Sequence, residues 1–150
     1  MPQSLSQLYA HLVFSTKDRV PFLTAEVQDR LFRYLAGALN AQDCPALKVG
    51  GHVDHVHLLF RLSKNKMPSR VVGEIKGESS KWVKEEFGEL TEFSWQAGYG
   101  MFSVSASQVD AVVAYIANQE EHHRTTTFQE EFRKLLAKSG VEFDERYVWD

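Results

Sequence analysis

Cysteine is nearly absent from this chain, since Cys44 is the only one among 150 residues. A lone cysteine cannot form an internal disulfide, which fits a reducing compartment and excludes cysteine-rich zinc folds. No stretch approaches the roughly 18 consecutive apolar residues of a membrane-spanning helix, and the first residues lack the basic-then-apolar layout of a secretory signal. We therefore expect a cytoplasmic protein without a membrane partner.

Several common enzyme signatures are also missing. The sequence contains no glycine-rich phosphate loop, no H-E-x-x-H zinc-protease pattern and no G-x-S-x-G nucleophile turn. It does contain ample material for a packed core, because 43% of its residues are hydrophobic and 12% are aromatic. At this length we expect a single domain that spans residues 1–150.

The charge is distributed unevenly along the chain. The net charge is −3, yet residues 1–84 carry 12 Lys or Arg against 7 Asp or Glu, whereas residues 85–150 carry 5 against 13. An acidic total argues against a nucleic-acid partner, but the basic excess between Arg61 and Lys84 is suited to facing phosphates. An ordinary solvated helix face explains any single lysine there about equally well.

Hydrophobic periodicity predicts the order strand, helix, strand, strand, helix, strand. Alternating apolar residues favour four strands, at 7–16, 47–51, 53–62 and 99–104. Helical spacing favours two long helices, 24–42 with Thr24 as N-cap and 68–87 with Pro68 near its start. Gly50 and Gly51 are typical of a bulge or turn between two strands of a hairpin.

This order is that of a ferredoxin-like βαββαβ sandwich, an α+β fold in which two helices cover one face of the sheet and the other face remains available. The pattern adds a C-terminal helix that bears Tyr115 and a short helical tail, residues 128–138. We interpret the aromatic end of the chain as packing, and we assign no functional residue to the tail.

Two histidines with one residue between them form the most informative motif. His55 and His57 lie in a stretch that alternates as a strand does, so both side chains should point to the same side, with Cβ atoms about 7 Å apart. Two imidazoles at that separation can converge on one metal ion. Asp54, between the strand faces, should point away from such an ion, and His52 is out of register with the pair.

A second motif contributes a phenol and an amide. Apolar residues recur at helical spacing from Val109 to Ile116, and Tyr115 and Gln119 are four residues apart, which places them on one helix face. If that face covers the histidine strand, Gln119 can offer a third metal ligand beside the Tyr115 hydroxyl. A His, His, Gln site is neutral, so the ion keeps its full charge for polarising a phosphate.

His122 and His123 are excluded as further ligands, because neighbouring positions on a helix diverge by about 100° and should not both face the site.

These residues resemble the single-tyrosine HUH transposases of short insertion sequences and of elements associated with repeated palindromes. The triplet His55-Val56-His57 fits the motif of histidine, hydrophobic residue, histidine. The resemblance also includes residues 11–17 near the start, the motif from Tyr115 to Gln119, and the tail at 121–124 and 128–132, so it extends over nearly the whole chain.

The resemblance implies a function and its partners. Tyr115 would attack single-stranded DNA at hairpin-bearing element ends and form a 5′-phosphotyrosine, with His55, His57 and Gln119 holding Mg²⁺ or Mn²⁺. It also implies a homodimer, for which composite active sites are the favoured arrangement. Six basic residues are the candidate DNA contacts: Lys17, Arg19, Arg61, Arg70, Lys76 and Lys81.

Two other functions remain open from the sequence. A domesticated relative could bind DNA hairpins as a regulator without moving, although the presence of Tyr115, His55 and His57 favours cleavage. A ferredoxin-like RNA-binding module would need stacking aromatics on adjacent central strands, and Tyr99 and Phe102 have opposite parity for that role.

Overall fold

Secondary structure follows the predicted order closely in the computed structural model, which describes residues 1–150. The strands are β1 (Leu8–Ser15), β2 (Ala46–Gly51), β3 (His55–Leu62) and β4 (Gly100–Val104). The helices are α1 (Ala25–Ala41), α2 (Pro68–Glu86), α3 (Val109–Ala117), α4 (Gln119–His122) and α5 (Phe128–Lys138). None of these helices is both long enough and apolar enough to cross a membrane.

The four strands form one antiparallel sheet in the order β2-β3-β1-β4. This is the split βαβ arrangement of a ferredoxin-like fold, in which each helix connects two strands that a third strand separates. The predicted fold class is therefore confirmed. The order also makes β1 and β3 the two central strands, so residues on them can be buried on both faces.

One face of the sheet carries the main core. Leu12 and Phe14 of β1 and Leu58 of β3 point to this face and pack with apolar residues of α1 and α2, including Leu31 and Ile75. All five side chains are inaccessible to solvent. Burial of such side chains contributes about 1.5 to 3 kcal/mol each, which explains why apolar periodicity located both helices.

The tail helix α5 covers part of the opposite face, which the sequence did not predict. Val13 of β1 and Phe102 of β4 pack against three apolar residues of α5: Phe128, Phe132 and Leu136. The tail helix thus has a complete apolar side that needs a partner, and the free sheet face provides it. Residues on this face, including His55 and His57, lie between the sheet and the group formed by α3, α4 and α5.

Two glycines let these outer helices approach the sheet closely. A Cβ on Gly50 of β2 would lie 2.8 Å from a side-chain carbon of Ile116 in α3. A Cβ on Gly100 of β4 would lie 2.6 Å from the ring of Phe132 in α5. The Gly50 and Gly51 pair was predicted as a bulge or turn, but both residues belong to β2 and the connection to β3 is residues 52–54.

Candidate metal centre and nucleophile

The two motif histidines are neighbours on β3, and their rings face the covered side of the sheet. Their ring centroids are 5.1 Å apart, and both side chains have 0% solvent exposure. Register explains the burial, because Val13 of β1 is paired with His57, and Gly50 of β2 flanks it on the other side. The histidines therefore lie inside the protein rather than in an open site.

Both Nε2 atoms point at a single carboxylate. Oε1 of Glu131 is 3.1 Å from Nε2 of His57 and 3.3 Å from Nε2 of His55. Oε1 of Gln119 is 2.9 Å from Nε2 of His55. The structure therefore brings together the three residues proposed as metal ligands, and it adds Glu131 at their centre.

Glu131 is a residue that the sequence reasoning missed. It belongs to α5, to which no functional residue was assigned, and it is only 2% exposed. A signal was present in the sequence, because Glu131 lies between Phe128 and Phe132 on the apolar side of an amphipathic helix. Carboxylates are almost never fully buried unless they are paired, so a glutamate at such a position indicates a partner inside the protein.

His122 and His123 both lie beside this carboxylate, contrary to their exclusion from the sequence. Nε2 of His123 is 3.1 Å from Oε1 of Glu131 and 3.0 Å from Oε1 of Gln119. Nε2 of His122 is 3.4 Å from the other Glu131 oxygen. The argument from helical divergence was wrong because α4 ends at His122 and the two rings approach different oxygens of one carboxylate.

Tyr115 completes the cluster. Its hydroxyl donates a hydrogen bond to Glu131 Oε2, and Nε2 of Gln119 donates to the same oxygen at 2.9 Å. Tyr115 and Gln119 were predicted on one continuous helix, but α3 ends at Ala117 and Gln119 begins α4. Burial and the adjacent Glu131 carboxylate raise the pKa of Tyr115, so the phenol is neutral in this arrangement.

Electrostatics around the cluster favour an ionised carboxylate. Burial opposes ionisation, but hydrogen bonds from His123, His55 and His57 hold the pKa of Glu131 well below its usual range. Burial also disfavours the charged form of His55, yet its hydrogen bonds to Asp54 and Glu131 raise its pKa to about 9. Asp54 contacts Nδ1 of His55 at 2.7 Å, on the other side of the ring from the Glu131 carboxylate.

The donor atoms fit a divalent metal ion. An ion bonded at about 2.1 Å to each donor would hold neighbouring donors roughly 3.0 to 3.4 Å apart. The five shortest contacts between Nε2 of His55, His57 or His123 and an oxygen of Gln119 or Glu131 run from 2.9 to 3.3 Å. Atoms of His55, His57 and Glu131 form one mutually close group and those of His122, His123 and Glu131 form another. His52 stacks on His123 outside both groups.

A groove reaches the nucleophile from the surface. It has a volume of about 820 Å³ and runs between β4, α3 and the end of α5. Tyr115 and His11 line it, so both are accessible from this side although the metal-facing nitrogens are buried. The groove therefore connects the Tyr115 side chain to the surface.

The candidate DNA contacts occupy different parts of the surface. Arg70 and Lys81 are exposed on α2, which covers the sheet face opposite the histidine cluster. Lys17 and Arg19 follow β1, whose end is paired with His55, whereas Arg61 lies at the far end of β3. The structure therefore does not gather these residues into one site.

Lys76 is already engaged within the protein. Its ammonium group donates hydrogen bonds to three carbonyl oxygens, at 2.5 Å to Gln96, 3.2 Å to Ala97 and 2.7 Å to Gly98. Burial lowers its pKa to about 8. Lys76 thus anchors the segment before β4, and we leave it out of the proposed DNA surface.

Comparisons with known proteins give a family match and matches to solved structures. The family model described as "Transposase IS200 like" matches residues 4–119, so it ends at Gln119 and does not include Glu131. No curated protein sequence matches the chain.

Two solved structures share the fold. A candidate transposase from Deinococcus radiodurans R1 is 25% identical, with a TM-score of 0.65, and the match covers 79% of this chain and 98% of that one. A REP-associated tyrosine transposase bound to a REP hairpin is 16% identical, with a TM-score of 0.58, over 82% of this chain and 72% of that one.

Proposed function

Because the chain belongs to the family of IS200-like transposases, we propose that it cleaves and rejoins single-stranded DNA at hairpin-bearing element ends, with residues 1–150 acting as one domain. The observation that carries this proposal is the convergence of the Tyr115 hydroxyl and the Nε2 atoms of His55 and His57 on one carboxylate. A nucleophile and a metal-binding group therefore contact the same side chain, an arrangement suited to metal-assisted phosphodiester cleavage through a protein-linked intermediate.

The proposed metal ligands are His55, His57, Gln119 and Glu131. A bound divalent ion would supply charge to polarise a phosphate oxygen. The set mixes imidazole nitrogens with two oxygens, which suits Mn²⁺ better than Mg²⁺ among the two expected ions. Glu131 gives the ligand set one negative charge, which the His, His, Gln set lacks.

Tyr115 acts in this proposal as the attacking oxygen. Its attack on a scissile phosphate forms a 5′-phosphotyrosine ester and releases a free 3′-hydroxyl. The ester keeps the energy of the broken bond, so a second 3′-hydroxyl can displace Tyr115 and reseal DNA without ATP. The Glu131 oxygen that accepts from the phenol is placed to orient it before attack.

Glu131→Gln is expected to weaken Mn²⁺ binding by at least about 10-fold to 100-fold, because loss of an outer partner of a ligand already has an effect of that size and Glu131 is itself a proposed ligand. The amide keeps the shape of the side chain but removes the negative charge that His55, His57 and His123 surround. Titration of the apoprotein followed by electron paramagnetic resonance of free Mn²⁺ measures the affinity. Glu130→Gln is the matched control, because Glu130 is exposed on the same helix, and equal affinities of the two variants would remove Glu131 from the ligands.

Single-stranded DNA with a hairpin is the proposed substrate. Support comes from the structural neighbour that binds a REP hairpin, together with the exposed basic residues of α2. Arg70 and Lys81 lie on the face of the sheet opposite Tyr115, so they could hold a hairpin stem while the cleaved strand reaches the groove. We also propose that the protein is a homodimer, which sedimentation of the purified chain would test.

Replacing Arg70 and Lys81 together with Gln should reduce hairpin affinity and flatten its salt dependence by up to roughly two phosphate contacts, because each contact releases about one counterion. Fluorescence anisotropy with a labelled hairpin oligonucleotide between low and moderate salt measures the slope.

The control variant for this surface is expected to change hairpin affinity in the opposite direction. Glu74 and Glu85 are the acidic partners of Arg70 and Lys81 on α2. Replacing both acids with Gln frees the two cations and should tighten binding. An unchanged salt slope in the Arg70 and Lys81 variant would place the DNA on another surface.

The direct test of the proposed function uses a pool of 3′-labelled single-stranded hairpin oligonucleotides with randomised flanks. With Mn²⁺ present, the label should appear on the protein in a denaturing gel, because the tyrosine retains the 5′ phosphate of the labelled fragment. EDTA should prevent this transfer. Tight hairpin binding without any transfer would favour the DNA-binding regulator instead.

A further inference from the structure

His11 on β1 makes a direct contact with one of the metal-facing histidines. Its Nε2 lies 2.8 Å from Nδ1 of His57, and the two rings are stacked with centroids 5.0 Å apart. We propose that His11 is a positioning residue that controls which nitrogen of His57 carries hydrogen and thereby directs the Nε2 lone pair of His57 to the metal. This inference rests on the proposed metal site.

The His11 ring is held in place on several sides. It stacks on His57 and meets the edges of Phe102 and Tyr115, with centroids 6.3 and 6.2 Å away. The side chain is 5% exposed and lines the groove that leads to Tyr115. Its contact with His57 is thus fixed by packing rather than by chance orientation of a surface residue.

The contact between the two rings limits the hydrogens that they can carry. Nε2 of His11 and Nδ1 of His57 are 2.8 Å apart, so one of these two nitrogens carries hydrogen and the other is bare. A hydrogen bond between two neutral imidazoles needs one donor and one acceptor. The hydrogen bond between the two rings can therefore run in either direction. Its direction decides whether Nε2 of His57 carries hydrogen or presents a lone pair.

Glu131 selects one direction when its carboxylate faces His57 directly. An ionised carboxylate only accepts, so Nε2 of His57 must carry hydrogen to donate across the 3.1 Å contact. Nδ1 of His57 then accepts from Nε2–H of His11.

Metal ligation requires the reverse direction, because a ligating Nε2 must present a lone pair. Nδ1–H of His57 then donates to Nε2 of His11. In this exchange the hydrogen on Nε2 of His11 moves to Nδ1 of His57, the hydrogen on Nε2 of His57 is released to solvent as a proton, and Nδ1 of His11 takes up one proton from solvent. The pair carries two ring hydrogens before and after, so no charge is created inside the protein.

Asp54, the partner of His55, cannot change from acceptor to donor as His11 can. Asp54 contacts Nδ1 of His55 at 2.7 Å, and its carboxylate can only accept a hydrogen bond. Nδ1 of His55 therefore keeps its hydrogen in both situations. His11, as an imidazole, is able to donate without metal and to accept with metal, which an apolar side chain of similar size cannot do.

Nitrogen NMR of protein labelled with ¹⁵N-histidine tests this directly. In the apoprotein, Nε2 of His57 should show the signature of a nitrogen that carries hydrogen, and Nδ1 that of a bare nitrogen. Addition of Zn²⁺, a diamagnetic probe that favours imidazole, should exchange the two signatures and place hydrogen on Nδ1 of His11. Unchanged signatures in protein that binds Zn²⁺ would overturn the proposal for His11 while leaving the metal site itself intact.

Variants of His11 give an independent measurement. His11→Met should lower Mn²⁺ affinity by about 10-fold to 100-fold, as expected when the outer partner of a ligating histidine is lost. His11→Gln should retain most of the affinity, because its amide oxygen can accept from Nδ1–H. Phe102→Leu is the packing control, since Phe102 touches the His11 ring but not the metal-facing nitrogens.

The outcomes separate the two proposals. Wild-type affinity in a folded His11→Met variant would show that His11 does not position His57. If that variant fails to fold, the NMR signatures of the wild-type protein decide. Absence of Zn²⁺ or Mn²⁺ binding by the wild-type protein would instead remove the metal site of the proposed function, and with it the role of His11.

Discussion

Tyr115→Phe is expected to abolish the covalent DNA adduct, with a loss on the order of 10³-fold or more in strand transfer, as for removal of other enzymatic nucleophiles. The substitution deletes only the attacking oxygen. The ring retains its edge contacts with His11 and His57, and Glu131 keeps its hydrogen bond from Gln119. Hairpin affinity and Mn²⁺ affinity should therefore remain near their wild-type values.

The measurement is the transfer of a 3′ label from a hairpin oligonucleotide to the protein in the presence of Mn²⁺. Tyr147→Phe is the matched control, because Tyr147 is 63% exposed in the C-terminal segment and takes no part in the cluster. Undiminished label on the Tyr115→Phe protein would mean that another residue is the nucleophile. Loss of hairpin binding along with the adduct would instead indicate that Tyr115 supports the DNA surface.

The fold was predictable because its signals are local. Alternation located the strands to within a few residues, and apolar spacing located α1 and α2, since each element buries one side against a common core. Thr24 is the residue before α1 as predicted, although its side chain makes no capping hydrogen bond. The position of α5 on the second sheet face was missed because an apolar helix side shows that the helix packs, but not against which surface.

The candidate site was predictable only in part. His55 and His57 share a strand, so their common direction follows from the period of two. Glu131 enters the cluster through long-range packing of α5 on β4, where Gly100 admits the ring of Phe132. His11 meets His57 through the antiparallel register of β1 with β3, and no spacing along the chain shows that pairing.

The break between α3 and α4 explains why His122 and His123 were wrongly excluded from the cluster. The argument that excluded His122 and His123 assumed that both lie on one regular helix, as adjacent positions. Asn118, with φ −99° and ψ 18°, interrupts that helix, and the chain leaves helical geometry again at His123. These departures from helical geometry at two residues let the His123 imidazole turn towards Glu131.

Mixing Tyr115→Phe subunits with His57→Gln subunits, each inactive alone, should leave strand transfer absent. Composite sites were favoured from the sequence, and they would restore one active site in a mixed dimer. The structure joins Tyr115 to the His57 cluster within one chain, with ring centroids 5.7 Å apart. We therefore expect every site in the mixture to carry one of the two defects.

Packing of α3 gives the physical reason for this expectation. Ile116, next to Tyr115, rests directly on Gly50 of β2, so α3 can reach a partner only after it leaves this contact. Gln is preferred to Ala at position 57 because the buried side chain contacts both His11 and Glu131. Co-expression with two different tags and tandem purification would ensure that mixed dimers are present. Label transfer by those mixed dimers would show that α3 exchanges between subunits and that the tyrosine of one chain serves the histidines of the other.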